Sequence, residues 1–292
     1  GACFNDLTCE RVAHPDGFDA ADLTLVTSLA SLIRNGISDR NSRVNPFRDW
    51  NWVFVPYCSG DVYGGNADPS ERTKRVHVGY ENVTRFLDWT VKEFDDVEQV
   101  VFAGSSAGGF GVVYNFDQAQ AAFGDVPVLM LNDSGPPFPS TLIKPCLTQQ
   151  WLQSWNISDH VPADCDACQR SEANFAAVYQ YLWTKYPDRR FALLSTEADA
   201  TTRFFFGFGY QHASCEQEDE MPADVFRSGL AGLRSLADAQ QASNFTTFVS
   251  GGDQHTLLLQ SLDEVTADGI MLAEWLTELI TAEAIPPHAG AL

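Results

Sequence analysis

Residues 99–109 read Gln99-Val-Val-Phe-Ala-Gly104-Ser105-Ser106-Ala107-Gly108-Gly109. A strand-like run, Gln99–Ala103, enters a Gly-x-Ser-x-Gly turn, and a helical pattern over Ala107–Ala122 leaves it. A serine nucleophile elbow needs this context. The turn is so tight that the central serine sits in a strained backbone conformation, and glycines two before and two after it prevent clashes. Ser106 then projects above the sheet at the start of a helix. The positive end of the helix dipole and its free N–H groups favour developing negative charge there. Ser106 is therefore the candidate nucleophile, and the Ala107 N–H is a candidate oxyanion donor. A phosphate-binding loop would carry a lysine after the glycines, and none is present. The plainer alternative is a Gly/Ser connector without chemistry.

Working outward, short apolar runs alternate with amphipathic stretches. The strand candidates are Trp52–Pro56, Gln99–Ala103, Pro127–Leu131, Arg190–Leu194 and Phe245–Ser250. They are continuous and rich in Val, Leu and Phe, as parallel strands covered on both faces are. The helix candidates are Asp22–Arg34, Tyr80–Phe94, Ala107–Ala122, Glu172–Tyr186, Ala223–Ala239 and Glu264–Ala284. The alternation predicts an α/β fold, a mostly parallel central sheet with helices on both faces. Residues 133–170 break the rhythm with Pro136, Pro137, Pro139, Trp151 and Trp155. This segment reads as a loop and helix insertion over the site, or as an inert surface excursion. The 292 residues are expected to form one domain.

Composition narrows the function. Hydrophobic residues make up 45% and charged residues 20%, which fits a folded globular chain rather than a disordered one. The 39 acidic and 18 basic side chains give a net charge of −21. Such a surface repels phosphate backbones and anionic membranes, so nucleic acid is excluded as a partner. The acidity reads either as adaptation to high salt or as a solubility device. No apolar run reaches the roughly 18 residues of a membrane span. Seven cysteines, Cys3, Cys9, Cys58, Cys146, Cys165, Cys168 and Cys215, lack zinc-site spacing and suggest disulfides in a secreted or periplasmic protein. Cys165–Cys168 is a lone CxxC without a thioredoxin-like context. The count is odd, and Cys58 is the candidate unpaired thiol. Of the sequons at Asn82, Asn156 and Asn244, the last opens a core strand and is a poor glycosylation site.

A serine nucleophile needs a base and an orienting acid. In hydrolases with this elbow the chain order is Ser, then Asp or Glu, then His. His255 follows the last strand candidate and precedes the last helix, which selects it from the six histidines. The acid is expected after Arg190–Leu194, where Glu197 and Asp199 stand. Asp133, one strand earlier, is the rival, and Asp253 is too near His255 in sequence.

The ordered blocks resemble the pectin acetylesterase/Notum family of α/β-hydrolase carboxylesterases. Gly1-Ala-Cys3-Phe-Asn5 with Cys9 resembles the family's oxyanion-loop block, and Asn51–Val62, containing Pro56-Tyr-Cys-Ser-Gly-Asp61, resembles its strand block. His77–Asn82, the elbow through Gly109, Asp133-Ser134-Gly135 and His255 follow in order. The resemblance implies an α/β-hydrolase fold, Asp199 as the triad acid, Gly1 as a further oxyanion donor, and a Cys3–Cys9 disulfide. Cys146, Cys165, Cys168 and Cys215 then have three complete pairings. Two departures stand out. Ser105 occupies a position where the family commonly has cysteine, and the family has a strand and a further glycine before the block that starts at Gly1. An N-terminal segment is therefore expected upstream of it.

The implied reaction is hydrolysis of a carboxylic ester through an acyl-enzyme, with no metal or cofactor. The resemblance points to acetyl or longer acyl groups on a saccharide or protein, while the net charge disfavours a polyanion such as polygalacturonate. Phe204 in the run Phe204–Tyr210, together with Trp151, is expected to line the acyl site; the alternative is that these aromatics are core. A lipase-like or polyester hydrolase, a peptidase or thioesterase, and an inactive binding module remain the competing readings.

Overall fold

The computed structural model describes residues 1–10, 36–169 and 175–292. The elements in chain order are α1 (Asp6–Cys9), α2 (Gly79–Glu93), β1 (Val100–Ser105), α3 (Ala107–Phe123), β2 (Val128–Asp133) and α4 (Pro145–Trp155). They continue with α5 (Phe175–Lys185), β3 (Phe191–Thr196), α6 (Ala200–Gly207), α7 (Ala223–Ala239) and β4 (Phe245–Ser250). A two-stranded pair, β5 (Thr266–Ala267) and β6 (Ile270–Met271), precedes α8 (Leu272–Thr281).

Strands β1 to β4 form one parallel sheet in sequence order. Side chains alternate across a strand, and the two faces feed two separate cores. From β2 and β3, Val128, Met130, Phe191 and Leu193 face one core, built with α3, α4, α5 and α7. Leu129, Leu131, Ala192 and Leu194 face the other, closed by Leu272, Trp275, Leu276 and Leu279 of α8. Both strands are buried along their whole length. Each fully buried Leu or Phe contributes about 1.5–3 kcal/mol, so this double coverage is why the strands read as unbroken apolar runs.

Four expected strands are present, and β1, β2 and β3 each run two residues further at the C-terminal end than their apolar runs suggest. Those extra residues are Gly104-Ser105, Asn132-Asp133 and Ser195-Thr196, a glycine and five polar residues at the end of the sheet that faces the site. The fifth expectation, Trp52–Pro56, is corrected. It forms no ladder, and Trp52 and Phe54 are 41% and 61% exposed. Aromatic and β-branched residues make a strand only where a neighbouring strand receives their backbone groups, and among the described residues no strand does; the Val55 carbonyl accepts the Tyr63 hydroxyl at 2.9 Å instead. The expected helix Glu264–Ala284 shortens to α8, because Asp268 and Gly269 both take positive φ and turn the chain into the β5–β6 hairpin. The helix Asp22–Arg34 and the first residues of Glu172–Tyr186 lie outside the described residues. Within 133–170 the structure adds α4, whose Trp151 and Trp155 stack at 6.2 Å against the first core.

Three disulfides form: Cys3–Cys9, Cys146–Cys215 and Cys165–Cys168. Cys58 is free and half-buried. Cys146–Cys215 ties α4 to the loop after α6, closing a loop of sequence separation 69. Asn244 is buried, and its amide donates to the carbonyls of Trp183 and Tyr186, both at 3.0 Å, so this sequon is closed to a glycan. Among the described residues no helix is long and apolar enough to cross a membrane.

Candidate active site

Ser106 joins β1 to α3 with φ 58° and ψ −120°, a region that non-glycine residues rarely occupy. Strain of this kind costs about 1–3 kcal/mol and persists only where the surroundings fix it. Here the Ser106 N–H donates to the Asp133 carbonyl at 2.8 Å, while its own carbonyl accepts the Gly109 N–H at 2.8 Å. Of the two motif glycines flanking Ser106, Gly104 is required by space, whereas a Cβ on Gly108 would meet only the Tyr63 ring at 3.8 Å, so the expected clash there is not found. A Cβ on Gly104 would lie 2.1 Å from the Gly108 carbonyl oxygen. A Cβ on Gly109 would lie 2.5 Å from Asn132 Oδ1 and 2.9 Å from the Gly135 nitrogen. Gly104→Ala is therefore expected to displace the elbow. Overpacking against backbone costs about 1–3 kcal/mol or more, so the thermal midpoint should fall in a melting curve and ester turnover should drop at least about tenfold as Ser106 shifts.

His255 lies in the loop after β4. Its Nδ1 is 2.9 Å from Oδ2 and 3.0 Å from Oδ1 of Asp199. Asp199 is fully buried and caps α6, with Oδ1 accepting the Thr202 N–H at 2.8 Å. A buried carboxylate facing Nδ1 holds the proton there and leaves Nε2 as the basic nitrogen. His255 Nε2 is buried and has no hydrogen-bond partner. Backbone bonds lace the acid and base segments together: Ala198 N–H to Gly252, Ala200 N–H to Asp253, and the Thr196 hydroxyl to Gln254.

The rival residues are accounted for elsewhere. Glu197 pairs with Arg227 at 2.8 Å, and Asp253 is exposed. Asp133 is fully buried but among the described residues bonds no histidine ring; it accepts the N–H groups of Leu257 and Leu258. Burial pushes the Asp133 carboxyl upward, against the hydrogen bonds from Leu257, Ser105 and Leu258. Among the other described histidines, His77 is buried with Nδ1 against the Ser59 carbonyl, His160 stacks on Tyr80, and His288 contacts Thr247. His14 lies outside the described residues. Arg203 pairs with Glu220 at 2.8 Å.

Ser106 and His255 line one cavity of about 40 Å³. Its polar wall also holds Ser134, Thr201 and Thr202, and its backbone wall Gly1, Ala2 and Ala107. The apolar wall is Val62, Phe110, Trp151, Trp155, Phe205 and Phe206. Phe204 is not part of it; this ring packs on Phe208 and Phe205 instead. The reason is helical phase. Residues 201, 202, 205 and 206 share one face of α6, and Phe204 is rotated away from it. An aromatic run without visible periodicity concealed this, and only the position of α6 reveals which rings face inward. Val62 was also not legible in sequence. Asp61 places it: buried, with its carboxyl raised by burial to about 6, Asp61 accepts the Ser59 hydroxyl and the Tyr63 and Gly79 N–H groups. Among the described residues no group of three His, Cys, Asp or Glu side chains is placed to hold a metal ion.

A His255–Asp199 pair that shares a small, mostly apolar cavity with Ser106, beside a helix N-terminus, has the parts for acyl transfer. Comparison with known proteins adds to this. The pectinacetylesterase family model matches residues 27–187. The palmitoleoyl-protein carboxylesterase NOTUM of Schmidtea mediterranea is 36% identical over 125 residues, 40% of this chain and 22% of that protein. The Homo sapiens NOTUM is 33% identical over 111 residues, 34% of this chain and 22% of that protein. The match thus spans less than a quarter of either curated relative. The crystal structure of the Wnt deacylase Notum from Drosophila superimposes with a TM-score of 0.62 at 19% identity, covering 93% of this chain and 83% of that one. That likeness shows the fold, an α/β-hydrolase-like parallel sheet with helices around it.

Proposed function

Because the chain belongs to the pectinacetylesterase family, we propose that it is a serine carboxylic-ester hydrolase that removes acetyl or short acyl groups through an acyl-enzyme. The observation that carries this reading is the His255–Asp199 bond, with an unpartnered Nε2 in the same cavity as Ser106. Ser106 Oγ attacks the ester carbonyl carbon while His255 Nε2 takes the hydroxyl proton. The buried Asp199 carboxylate stabilises the imidazolium that results. The Ala107 N–H, at the free end of α3, and the Gly1 N–H receive the oxyanion. Collapse breaks the bond to the alcohol, which leaves with the proton from His255. Water then attacks the acyl carbon with His255 again as base, and Ser106 is released.

The short-acyl reading draws on the lining of the cavity. Trp151, Phe205 and Phe206 crowd the space beside Ser106 and His255, which supports an acyl group of acetyl size. The net charge of −21 favours a neutral acylated glycan or small ester over a polyanion. Three disulfides support a secreted or periplasmic location. The whole chain is read as one hydrolase domain, with residues 133–170 as the insertion that brings Trp151 and Trp155 over the site.

Hydrolysis of p-nitrophenyl esters from acetate to palmitate tests this. The expected profile is highest kcat/KM at acetate to butyrate, with a fall of about 10–200-fold or more as methylenes exceed the cavity. A maximum at long acyl chains would replace the short-acyl reading with a lipase-like one. No turnover by the folded chain would favour a binding module.

A further inference from the structure

The turn that ends β2, Asn132–Gly135, contains a buried carboxylate that the proposed reaction does not use. Asp133 and Ser134 are both fully buried, yet nearly every polar atom they own is engaged with a different segment of the site. Towards the elbow, the Asp133 carbonyl accepts the Ser106 N–H at 2.8 Å, and Oδ2 accepts the Ser105 hydroxyl at 2.7 Å. Towards the histidine loop, Asp133 Oδ1 accepts the Leu257 N–H at 2.8 Å and Oδ2 the Leu258 N–H at 3.1 Å. Ser134 Oγ accepts the Thr256 N–H at 3.1 Å. Towards the acid segment, the Ser134 N–H donates to the Leu194 carbonyl at 2.9 Å, and its carbonyl accepts the Thr202 hydroxyl at 3.3 Å.

The histidine loop has no regular structure of its own. Residues 255–258 belong to no helix or strand, and Thr256 takes φ 66°. Such a segment is positioned by whatever receives its backbone donors. Three consecutive N–H groups directly after His255 go to the side chains of two consecutive residues, Asp133 and Ser134. The same Asp133 holds the nucleophile turn through its main chain. We propose that Asp133 is a positioning residue for catalysis: it fixes the His255 loop against the Ser106 turn, and Ser105 locks the Asp133 carboxylate in the orientation that receives Leu257 and Leu258. This rests on Ser106 as nucleophile and His255 as base.

The chemistry requires a carboxylate. An asparagine offers one acceptor oxygen, and its amide would point a donor at a backbone N–H or at the Ser105 hydroxyl. One loop contact is then lost, and the imidazole shifts relative to Ser106. A displacement near 1 Å in a catalytic group costs on the order of 10²-fold. Ser105→Ala removes a single donor and keeps both loop contacts, so its effect is smaller.

The test compares Ser106→Ala, Asp133→Asn and Ser105→Ala on p-nitrophenyl acetate, with active sites counted by fluorophosphonate titration and folding followed by thermal melts. For Asp133→Asn, kcat per titrated site should fall on the order of 10²-fold with KM within about twofold. For Ser105→Ala, kcat should fall about three- to tenfold with KM again unchanged. Asp133→Glu should not restore kcat, since a longer side chain cannot keep all three contacts. A purely structural carboxylate would lower the melting midpoint and the titrated fraction but leave kcat per site intact. Folded Asp133→Asn and Ser105→Ala proteins with kcat within twofold of the parent overturn the positioning role. If Asp133→Asn does not fold, an unchanged kcat in Ser105→Ala overturns it alone. A Ser106→Ala protein with parental turnover overturns both this role and the reading it rests on.

Discussion

Ser106→Ala is expected to lower kcat for p-nitrophenyl acetate by about 10⁴- to 10⁶-fold, the range seen when a serine nucleophile acting with its base is removed. The residual rate would come from substrate binding and the oxyanion donors alone. The fold should be unaffected. Alanine meets the same backbone penalty as serine at φ 58°, and Ser106 Oγ makes no hydrogen bond that caps α3. The measurement is steady-state hydrolysis with a melting curve on the same preparation. A folded variant that keeps more than about a tenth of parental kcat would show that Ser106 is not the nucleophile.

Asp199→Asn is expected to cost about 10⁴-fold in kcat with little change in KM. Asparagine keeps an oxygen for the Thr202 N–H that Asp199 Oδ1 now accepts at 2.8 Å, and it is as good a helix N-cap as aspartate. The stability of α6 should therefore hold. The amide nitrogen, however, then faces His255 Nδ1, which Asp199 now approaches at 2.9 Å. A donor in that place drives the imidazole proton to Nε2, the nitrogen that must accept from Ser106. The base is lost while its position is retained. A pH–rate profile with the kinetic constants checks this: activity should stay low across neutral pH. Parental kcat in the folded variant would assign the acid elsewhere, and Glu197, held by Arg227 at 2.8 Å, would need to release that pair to serve.

Some of this was open to reading from residue order and some was not. The elbow was legible because its constraint is local: a tight turn between strand and helix admits no side chain at Gly104, and the close approach there agrees, while Gly108, expected to be equally confined, has room for a Cβ. The position of His255 followed from counting strands. The choice between Glu197 and Asp199 was not legible from spacing. It depends on which carboxylate the β3–α6 turn buries, and Asp199 is the one taken in as the cap of α6. Asp133 looked like a competing acid for the same reason that makes it notable now. A carboxylate at a strand end near the site satisfies the sequence rule, whichever donors it meets.

Local sequence by itself determined the β–turn–α elbow around Ser106, the parallel alternation of the four sheet strands, and an acidic, cysteine-bearing chain. These depend on backbone sterics, side-chain period and net charge, which act over a few residues or over the whole chain at once. Tertiary structure alone decided that Trp52–Pro56 finds no strand partner among the described residues, that Phe205 and Phe206 rather than Phe204 face the cavity, and how Cys146, Cys165, Cys168 and Cys215 pair. It also decided that Asp199 receives His255 while Asp133 receives the loop that carries it. Each of these turns on which groups distant in sequence come within hydrogen-bonding or van der Waals reach. Packing of the sheet against its helices sets that reach.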